Sequence, residues 1–230
     1  MKNSYENYYR EIEEKHPWFL ARSNLFLSLM PSDKNSSILD FGCGAGSFLK
    51  NLSSVGYMDL SGVEVSTNKL SSTSTDDRFV IKETIPKRKY DVILMMDVLE
   101  HIEDDVAALI KIKSHLRLGG ILLLSVPAYQ LLWSDHDRMN MHYRRYNRNS
   151  LNRVIKEAKL KTEFITNWNC TFLPIIALSR LINRQSNKEL RLNNNFLAKL
   201  VYLTLTFENF LLKKTGLPFG LSIISSCSHD

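Results

Sequence analysis

The sequence is poor in the residues that build stapled, metal-clipped or fibrous proteins. It holds three cysteines in 230 residues, Cys43, Cys170 and Cys227. The number is odd, the spacings are long and no Cys-x-x-Cys pair occurs, so a disulfide framework and a thiolate metal site are excluded. A reducing cytoplasm is the expectation. Nine glycines and six prolines exclude collagen-like and low-complexity sequence. Long hydrophobic runs are missing too. The nearest, Phe196 to Leu212, is broken by Lys199 and Glu208, which argues against a membrane-spanning helix. The first residues lead into charge rather than an apolar stretch, so no leader is expected.

What is present fits a soluble globular protein of one domain, 44% hydrophobic and 23% charged. Its basic excess is uneven. Residues 1–150 carry 19 Lys and Arg against 19 Asp and Glu, whereas residues 151–230 carry 11 against 5, the whole of the net +6. An anionic partner or a solvated basic face would each account for that.

The pattern of apolar residues predicts a helical N-terminal cap over 1–35, split by Pro17. Strands are expected at 37–41, 60–65, 79–81, 90–96 and 121–126, with helices at 47–55 and 102–118, and a weak one within 66–77. The Ile102–Leu118 helix would stop at Gly119-Gly120. A helix at 150–159 with Ser150 as N-cap, a strand at 161–168, an apolar-helical insertion at 171–216 and a last strand within 217–230 complete the chain. The core is thus residues 36–170, with a polar and aromatic loop at 129–149. Such alternation implies a doubly wound parallel sheet.

Asp40-Phe41-Gly42-Cys43-Gly44-Ala45-Gly46 sits where the first strand turns into a helix, the ligand crevice of an open α/β sheet. Glu64 lies 22 residues beyond Gly42 at the end of the second strand, where a carboxylate can take both hydroxyls of a ribose. An adenosine-containing ligand follows. The G-x-G-x-G spacing is one residue short of the dinucleotide pattern, which disfavours a nicotinamide. Asp40 would repel a diphosphate but tolerate an ammonium and a sulfonium.

These residues resemble the first motif of class I S-adenosylmethionine-dependent methyltransferases. Tyr90 to Ile102 resembles that family's fourth-strand motif, and Leu116 to Pro127 its fifth-strand approach. The resemblance implies a Rossmann-like α/β fold with a seven-stranded sheet. It implies that Asp40, Gly42, Cys43, Gly44 and Gly46 hold the methionine part of the cofactor. Glu64 and Val65 would lie at its ribose, Lys82 and Glu83 would flank the adenine, and Asp97, Val98 and His101 would line the fourth-strand side. The segment Trp133-Ser134 to Arg144-Arg145-Tyr146 also resembles a bacterial small-molecule subfamily, as do Trp18 to Arg22 and Leu217 to Ser222; the helical cap would fold over the cofactor.

Two histidines, two aspartates, three arginines, two tyrosines and a tryptophan crowd residues 131–146. Asp137 or His142 could take a proton from an acceptor hydroxyl. Arg144 and Arg145 could grip a phosphate or carboxylate, and Tyr129, Trp133 and Tyr146 complete the expected substrate-binding set. Asp135, His136 and Asp137 lack helical ligand spacing, and no metal is expected. The apolar helices of 171–216 with basic flanks suit a lipid pocket or peripheral contact with the inner membrane face; a lid or dimer surface is the alternative.

The expected activity is therefore methyl transfer to a small or lipid- or saccharide-linked acceptor, most simply at a hydroxyl oxygen. Two alternatives are a non-catalytic cofactor-binding protein that anchors a partner at a membrane and a nucleic-acid methyltransferase. The latter is disfavoured, since Asp97-Val98-Leu99-Glu100 and Pro127-Ala128-Tyr129 replace the motifs such enzymes need.

Overall fold

The computed structural model describes residues 15–65, 78–182 and 195–230. The expected first N-terminal helical stretch, the weak helix within 66–77 and residues 183–194 of the insertion lie outside the described residues. The chain runs α1 (Pro17–Leu29), β1 (Ile38–Phe41), α2 (Ser47–Ser54), β2 (Leu60–Val63), β3 (Phe79–Lys82), β4 (Tyr90–Met96), α3 (Asp105–Lys113) and β5 (Leu116–Pro127). It continues with α4 (Asp135–Met139), α5 (Arg148–Glu157), β6 (Lys161–Trp168), α6 (Leu173–Ile182), α7 (Asn195–Thr215) and β7 (Ser222–Ser228).

The strands form one seven-stranded sheet in the order β3-β2-β1-β4-β5-β7-β6. β1 to β5 pair in parallel, as the alternation predicted. β7 does not: it inserts antiparallel between β5 and β6. An antiparallel strand at the margin of a parallel sheet is common, and the local pattern carries no sign of direction. The order reverses between β1 and β4, so the crevice at the carboxyl ends of these two strands is the topological switch point where open α/β sheets bind ligands.

Alternate residues of the central strands feed two cores. Leu39, Ile93, Met95, Leu122 and Leu124 join Leu109, Ile112, Leu151 and Ile155 of α3 and α5 on one face. Ile38, Val92, Leu94 and Leu123 join Leu25, Phe26, Leu49 and Leu205 of α1, α2 and α7 on the other. The period of two along each strand divides one apolar run between both layers. α1 packs on α7, fastened where Asn209 Nδ2 donates to the Ala21 carbonyl at 2.8 Å and Trp168 Nε1 donates to Asn209 Oδ1 at 2.8 Å.

Two boundaries differ from expectation. The helix after β4 ends at Lys113, and Leu116 to Leu118 already belong to β5. Gly119 takes φ +74°, and the pairing with β4 shifts register between Tyr90 and Val92. The glycine pair shapes an irregularity inside the strand rather than stopping a helix. At α5 the cap is Asn147: Ser150 N donates to Asn147 Oδ1 at 2.8 Å, and Asn147 N donates back to Ser150 Oγ at 2.9 Å. Ser150 is the reciprocal partner in that box, three residues in.

Candidate active site

The glycine loop leaves β1 with positive φ at Gly42 (79°), Gly44 (55°) and Gly46 (80°). Gly42 N and Cys43 N both donate to the Val63 carbonyl, at 2.7 and 3.1 Å, which binds the loop to the end of β2. A Cβ at Gly42 would overlap Val98 Cγ2, so the loop also lies against the segment that leaves β4. Gly44 N donates to Glu64 Oε2 at 3.0 Å, and Glu64 is buried. Val65 is exposed, as are Lys82 and Glu83 at the end of β3.

Asp97 follows the last residue of β4, takes φ +56° and turns the chain into a 3-10 turn over Leu99–His101. Ser125 of β5 fixes this turn, its Oγ donating to Asp97 Oδ1 at 3.0 Å. Arg22 of α1 forms an ion pair with Asp97, and its guanidinium lies 4.6 Å from the Trp18 ring centroid and 5.0 Å from that of Phe19. The N-terminal helix is therefore tied to the residue that follows β4.

Asp40, Glu64 and Asp97 bring carboxylates to the carboxyl ends of β1, β2 and β4. A diphosphate meets repulsion there, while ribose hydroxyls and a cationic ammonium or sulfonium meet acceptors. This acidic set and the glycine turn fit S-adenosylmethionine, and they do not fit a dinucleotide.

The 129–149 segment folds back against the turn after β4. It contains a 3-10 turn over Gln130–Leu132 and α4. Tyr143 N donates to the Glu100 carbonyl at 2.7 Å, Arg144 pairs with Asp105 at 2.8 Å, and Tyr146 OH donates to Asp105 Oδ2 at 2.9 Å. Tyr129 N donates to the Tyr146 carbonyl at 2.7 Å, and Ala128 and Tyr146 form a parallel bridge. Three expected substrate contacts are thus structural. Arg144 is spent on Asp105 and the Glu103 carbonyl. Arg145 and Tyr146 are buried, and burial beside Asp105 raises the Tyr146 phenol far above its ordinary value. Tyr129 and Trp133 remain half-buried on the loop.

At the centre of this segment Asp137 is fully buried. Its Oδ2 accepts from Ser134 N at 2.9 Å and Ser134 Oγ at 3.2 Å, and its Oδ1 accepts from Arg145 Nε at 2.7 Å. His142 Nδ1 lies 3.0 Å from the same Oδ1. Burial pushes the carboxyl up, but the His142 and Arg145 hydrogen bonds and the Arg145 charge outweigh it and hold the group well below the usual carboxylate range. The oxygens of Asp137 are occupied by these donors and its carboxyl is held low, which argues against Asp137 as the proton acceptor that one sequence expectation named. It positions His142, whose ring stands edge-on to His101 at 4.5 Å between centroids. His142 has one ring nitrogen, Nε2, left over from the Asp137 contact.

Three residues escaped the sequence reading. Arg22 falls within the Trp18 to Arg22 likeness without a role of its own; the signal for it is that it is the one charged residue of α1. Arg180 of α6 donates to the Leu132 carbonyl at 3.1 Å and lies 3.9 Å from Asp137, tying the helical insertion to the acceptor-side loop; nothing local announces that. Glu100 is 1% exposed, and burial followed by repulsion from Asp97 raises its carboxyl well above the ordinary value.

Comparison with known proteins agrees with this geometry. A family model described as a methyltransferase domain matches residues 9–169. A ubiquinone biosynthesis O-methyltransferase of Bartonella quintana is 32% identical over 109 residues, 43% of this chain and 44% of that protein. The chain thus aligns with less than half the length of that relative. Among solved structures, an S-adenosylmethionine-dependent methyltransferase from Mesorhizobium loti superposes with TM-score 0.61 at 12% identity, covering 90% of this chain and 97% of the other. A phosphoethanolamine N-methyltransferase 2 of Haemonchus contortus in complex with S-adenosyl-L-methionine gives TM-score 0.59 at 16% identity, over 89% of this chain and 51% of that one. With the glycine loop, the switch-point crevice and the 3-2-1-4-5-7-6 sheet in place, the chain belongs to the methyltransferase-domain family, in its class I, S-adenosylmethionine-dependent form.

Proposed function

We propose that the protein moves a methyl group from S-adenosylmethionine to a hydroxyl oxygen of a small or lipid- or saccharide-linked acceptor, as a single domain spanning residues 1–230. The observation that carries this reading is the Asp137–His142 pair, docked beside the turn that follows β4 with the contact of 3.0 Å between Asp137 Oδ1 and His142 Nδ1. The name of the Bartonella relative supports oxygen as the acceptor atom.

The cofactor supplies an electrophilic methyl on a sulfonium. In this chain Glu64 accepts from ribose hydroxyls, the loop from Asp40 to Gly46 cradles the methionine part, Lys82 and Glu83 flank the adenine, and Asp97, Val98 and His101 line the β4 side. His142 Nε2 takes the proton of the acceptor hydroxyl as its oxygen becomes nucleophilic, while Asp137 fixes the ring and stabilises the resulting imidazolium. Holding acceptor and donor in line contributes the larger share of rate.

A lipid-linked acceptor is supported by the insertion. Phe196, Leu200, Leu203, Phe207 and Phe210 lie at helical spacing along α7 and are each at least half exposed, and Ile175, Leu178 and Ile182 are exposed on α6. Apolar stripes of this size flanked by the basic excess fit an interfacial helix pair on an anionic cytoplasmic leaflet. Among the described residues no helix is long and apolar enough to cross a membrane.

Calorimetry with S-adenosylmethionine, S-adenosylhomocysteine and NAD, with and without anionic vesicles, tests the reading. The first two ligands should bind and NAD should not, and vesicles should be bound by wild type but not by Phe207→Glu. His142→Ala should lower turnover while leaving cofactor affinity intact. NAD binding in place of the sulfonium ligand, or equal loss of turnover and cofactor affinity in His142→Ala, would overturn it.

A further inference from the structure

The turn after β4 and the loop after β5 place Glu100, His101 and His142 with one ligand atom of each within 4.8 Å of the others. Glu100 and His101 are adjacent on the 3-10 turn, and His142 is delivered from 41 residues away by the hydrogen bond of Tyr143 N to the Glu100 carbonyl at 2.7 Å. From this convergence we propose that Glu100, His101 and His142 form a binding site for one first-row divalent cation, of the zinc class, at the acceptor side of the crevice.

Three independent features support it. The donor set is two imidazoles and one carboxylate, which suits zinc and its neighbours and leaves a fourth position open, the arrangement of catalytic rather than structural sites. The outer contact is also present: His142 presents Nδ1 to the buried Asp137 carboxylate, and metal-bound imidazoles characteristically give their second nitrogen to a carboxylate, which fixes the ring and aims Nε2 at the ion. Finally, Glu100 Oε2 is buried without a hydrogen-bond partner, although Glu100 is 1% exposed. An unmet buried carboxyl oxygen is costly, and a cation at the junction of the two histidines satisfies it.

The spacing suits closure on an ion. Ligand atoms about 2.0–2.1 Å from zinc in a tetrahedral site lie about 3.3 Å from one another. His101 is the exposed member of the three and Glu100 the buried one, so closing to that distance falls to a side-chain adjustment on the His101 side. The open position would take water or the hydroxyl of the acceptor, and a hydroxyl on such an ion loses its proton to solvent far more readily than a free one. In that state His142 Nε2 is a ligand and takes no proton; the ion instead acidifies the hydroxyl, whose proton leaves to solvent. The site does not depend on the methyl-transfer reading, since the ion is measured with no methyl donor present.

The full-length protein, stripped with a chelator, should be titrated with Co(II) by visible absorption and with Zn(II) by calorimetry. Wild type should bind one ion per chain and show the intense visible bands of low-coordinate cobalt. His101→Ala changes only an exposed ring and should still fold; it should weaken binding at least 100-fold and abolish those bands. Glu100→Gln should do the same, Asp137→Asn should weaken binding roughly 10- to 100-fold, and His115→Ala, whose ring lies at the Arg88 carbonyl outside the cluster, should bind as wild type. Absence of a stoichiometric ion in wild type, or wild-type binding by His101→Ala and Glu100→Gln, would overturn the proposal. Failure of S-adenosylmethionine to bind would instead strike the methyl-transfer reading and leave the metal result standing.

Discussion

Replacing Asp137 by asparagine is the sharpest perturbation of the acceptor-side structure. The side chains are nearly isosteric, so what is removed is one charge. Asp137 is fully buried, the Arg145 side chain is 4% exposed at 2.7 Å, and the Arg180 guanidinium stands 3.9 Å away. In the variant both cations face a neutral amide; Arg145 keeps the Ala128 carbonyl at 3.0 Å, and whichever way the amide turns, its NH2 confronts donors, Arg145 and His142 on one side or Ser134 on the other. Stranding a buried cation costs about 3–5 kcal/mol. For a chain of this size each kcal/mol lowers Tm by about 2–4 °C, so a drop of about 6–20 °C is expected. Urea unfolding should show the midpoint moved and the slope unchanged. The double variant Asp137→Asn/Arg145→Met should recover about 0.5–3 kcal/mol of the single loss, because it removes the stranded charge. The pH dependence follows from the sign of the shift. The Asp137 carboxyl is lower in the folded state than in the unfolded chain, so its stabilisation is complete above the ordinary carboxylate value of about 3.9 and disappears as pH falls through the folded value. The gap between wild type and variant should be flat from pH 7 to about 5 and shrink below about 4. A variant within about 1 kcal/mol of wild type at pH 7, or a gap that widens in acid, would refute the reasoning.

Gly42→Ala places a Cβ at φ +79° against Val98 Cγ2; a loss of about 1–2 kcal/mol for the left-handed backbone plus about 1–3 kcal/mol for overpacking is expected, seen as a lower Tm together with lost S-adenosylhomocysteine binding. Glu64→Ala removes a carboxylate that takes charged hydrogen bonds, about 1.5–3 kcal/mol or roughly 10- to 100-fold in S-adenosylhomocysteine affinity by calorimetry; undiminished affinity would remove Glu64 from the site. Burial pushes the Cys227 thiol up to about 11, and Cys43 is also buried, so a thiol reagent at pH 8 should modify the native protein no faster than Cys170 alone allows, with all three reacting once urea is added.

The parts of the fold governed by neighbours in sequence were legible. The glycine turn, Glu64 at the end of β2, the apolar runs of β1 and β4 and the alternation of β6 depend on local periodicity and φ requirements, and they lie where expected. The helix after β4 was overextended because Leu116 and Leu118 continue its apolar spacing, while the choice between helix and strand there is made by pairing with β4. The direction of β7 is a tertiary decision that a seven-residue, serine-rich strand does not encode. The acceptor-side residues were found as a cluster but misassigned within it. Arg144, Arg145 and Tyr146 look like ligand-binding groups until Asp105 and Asp137, 8 to 41 residues away, are seen to claim them. Residue type signals that charge is present, and only the fold decides which charges cancel.

The bridge between Ala128 and Tyr146 makes the acceptor-side loop an extra rung on the sheet. Tyr129 N and Tyr146 N bond across that rung, and Tyr143 N bonds to the turn after β4. Opening this loop therefore means breaking backbone ladder bonds and the Asp137 cluster in one event, not swinging a free flap. In hydrogen–deuterium exchange these three amides should be protected as a single cooperative unit, slower than the exposed α4 residues they enclose. Between Leu131 and Met141 the buried Ser134 and Asp137 fix the chain length, because His142 hangs on Asp137 through both its ring and its backbone N–H; what can change without disturbing that cluster are the exposed side chains of Leu131, Met139 and Met141.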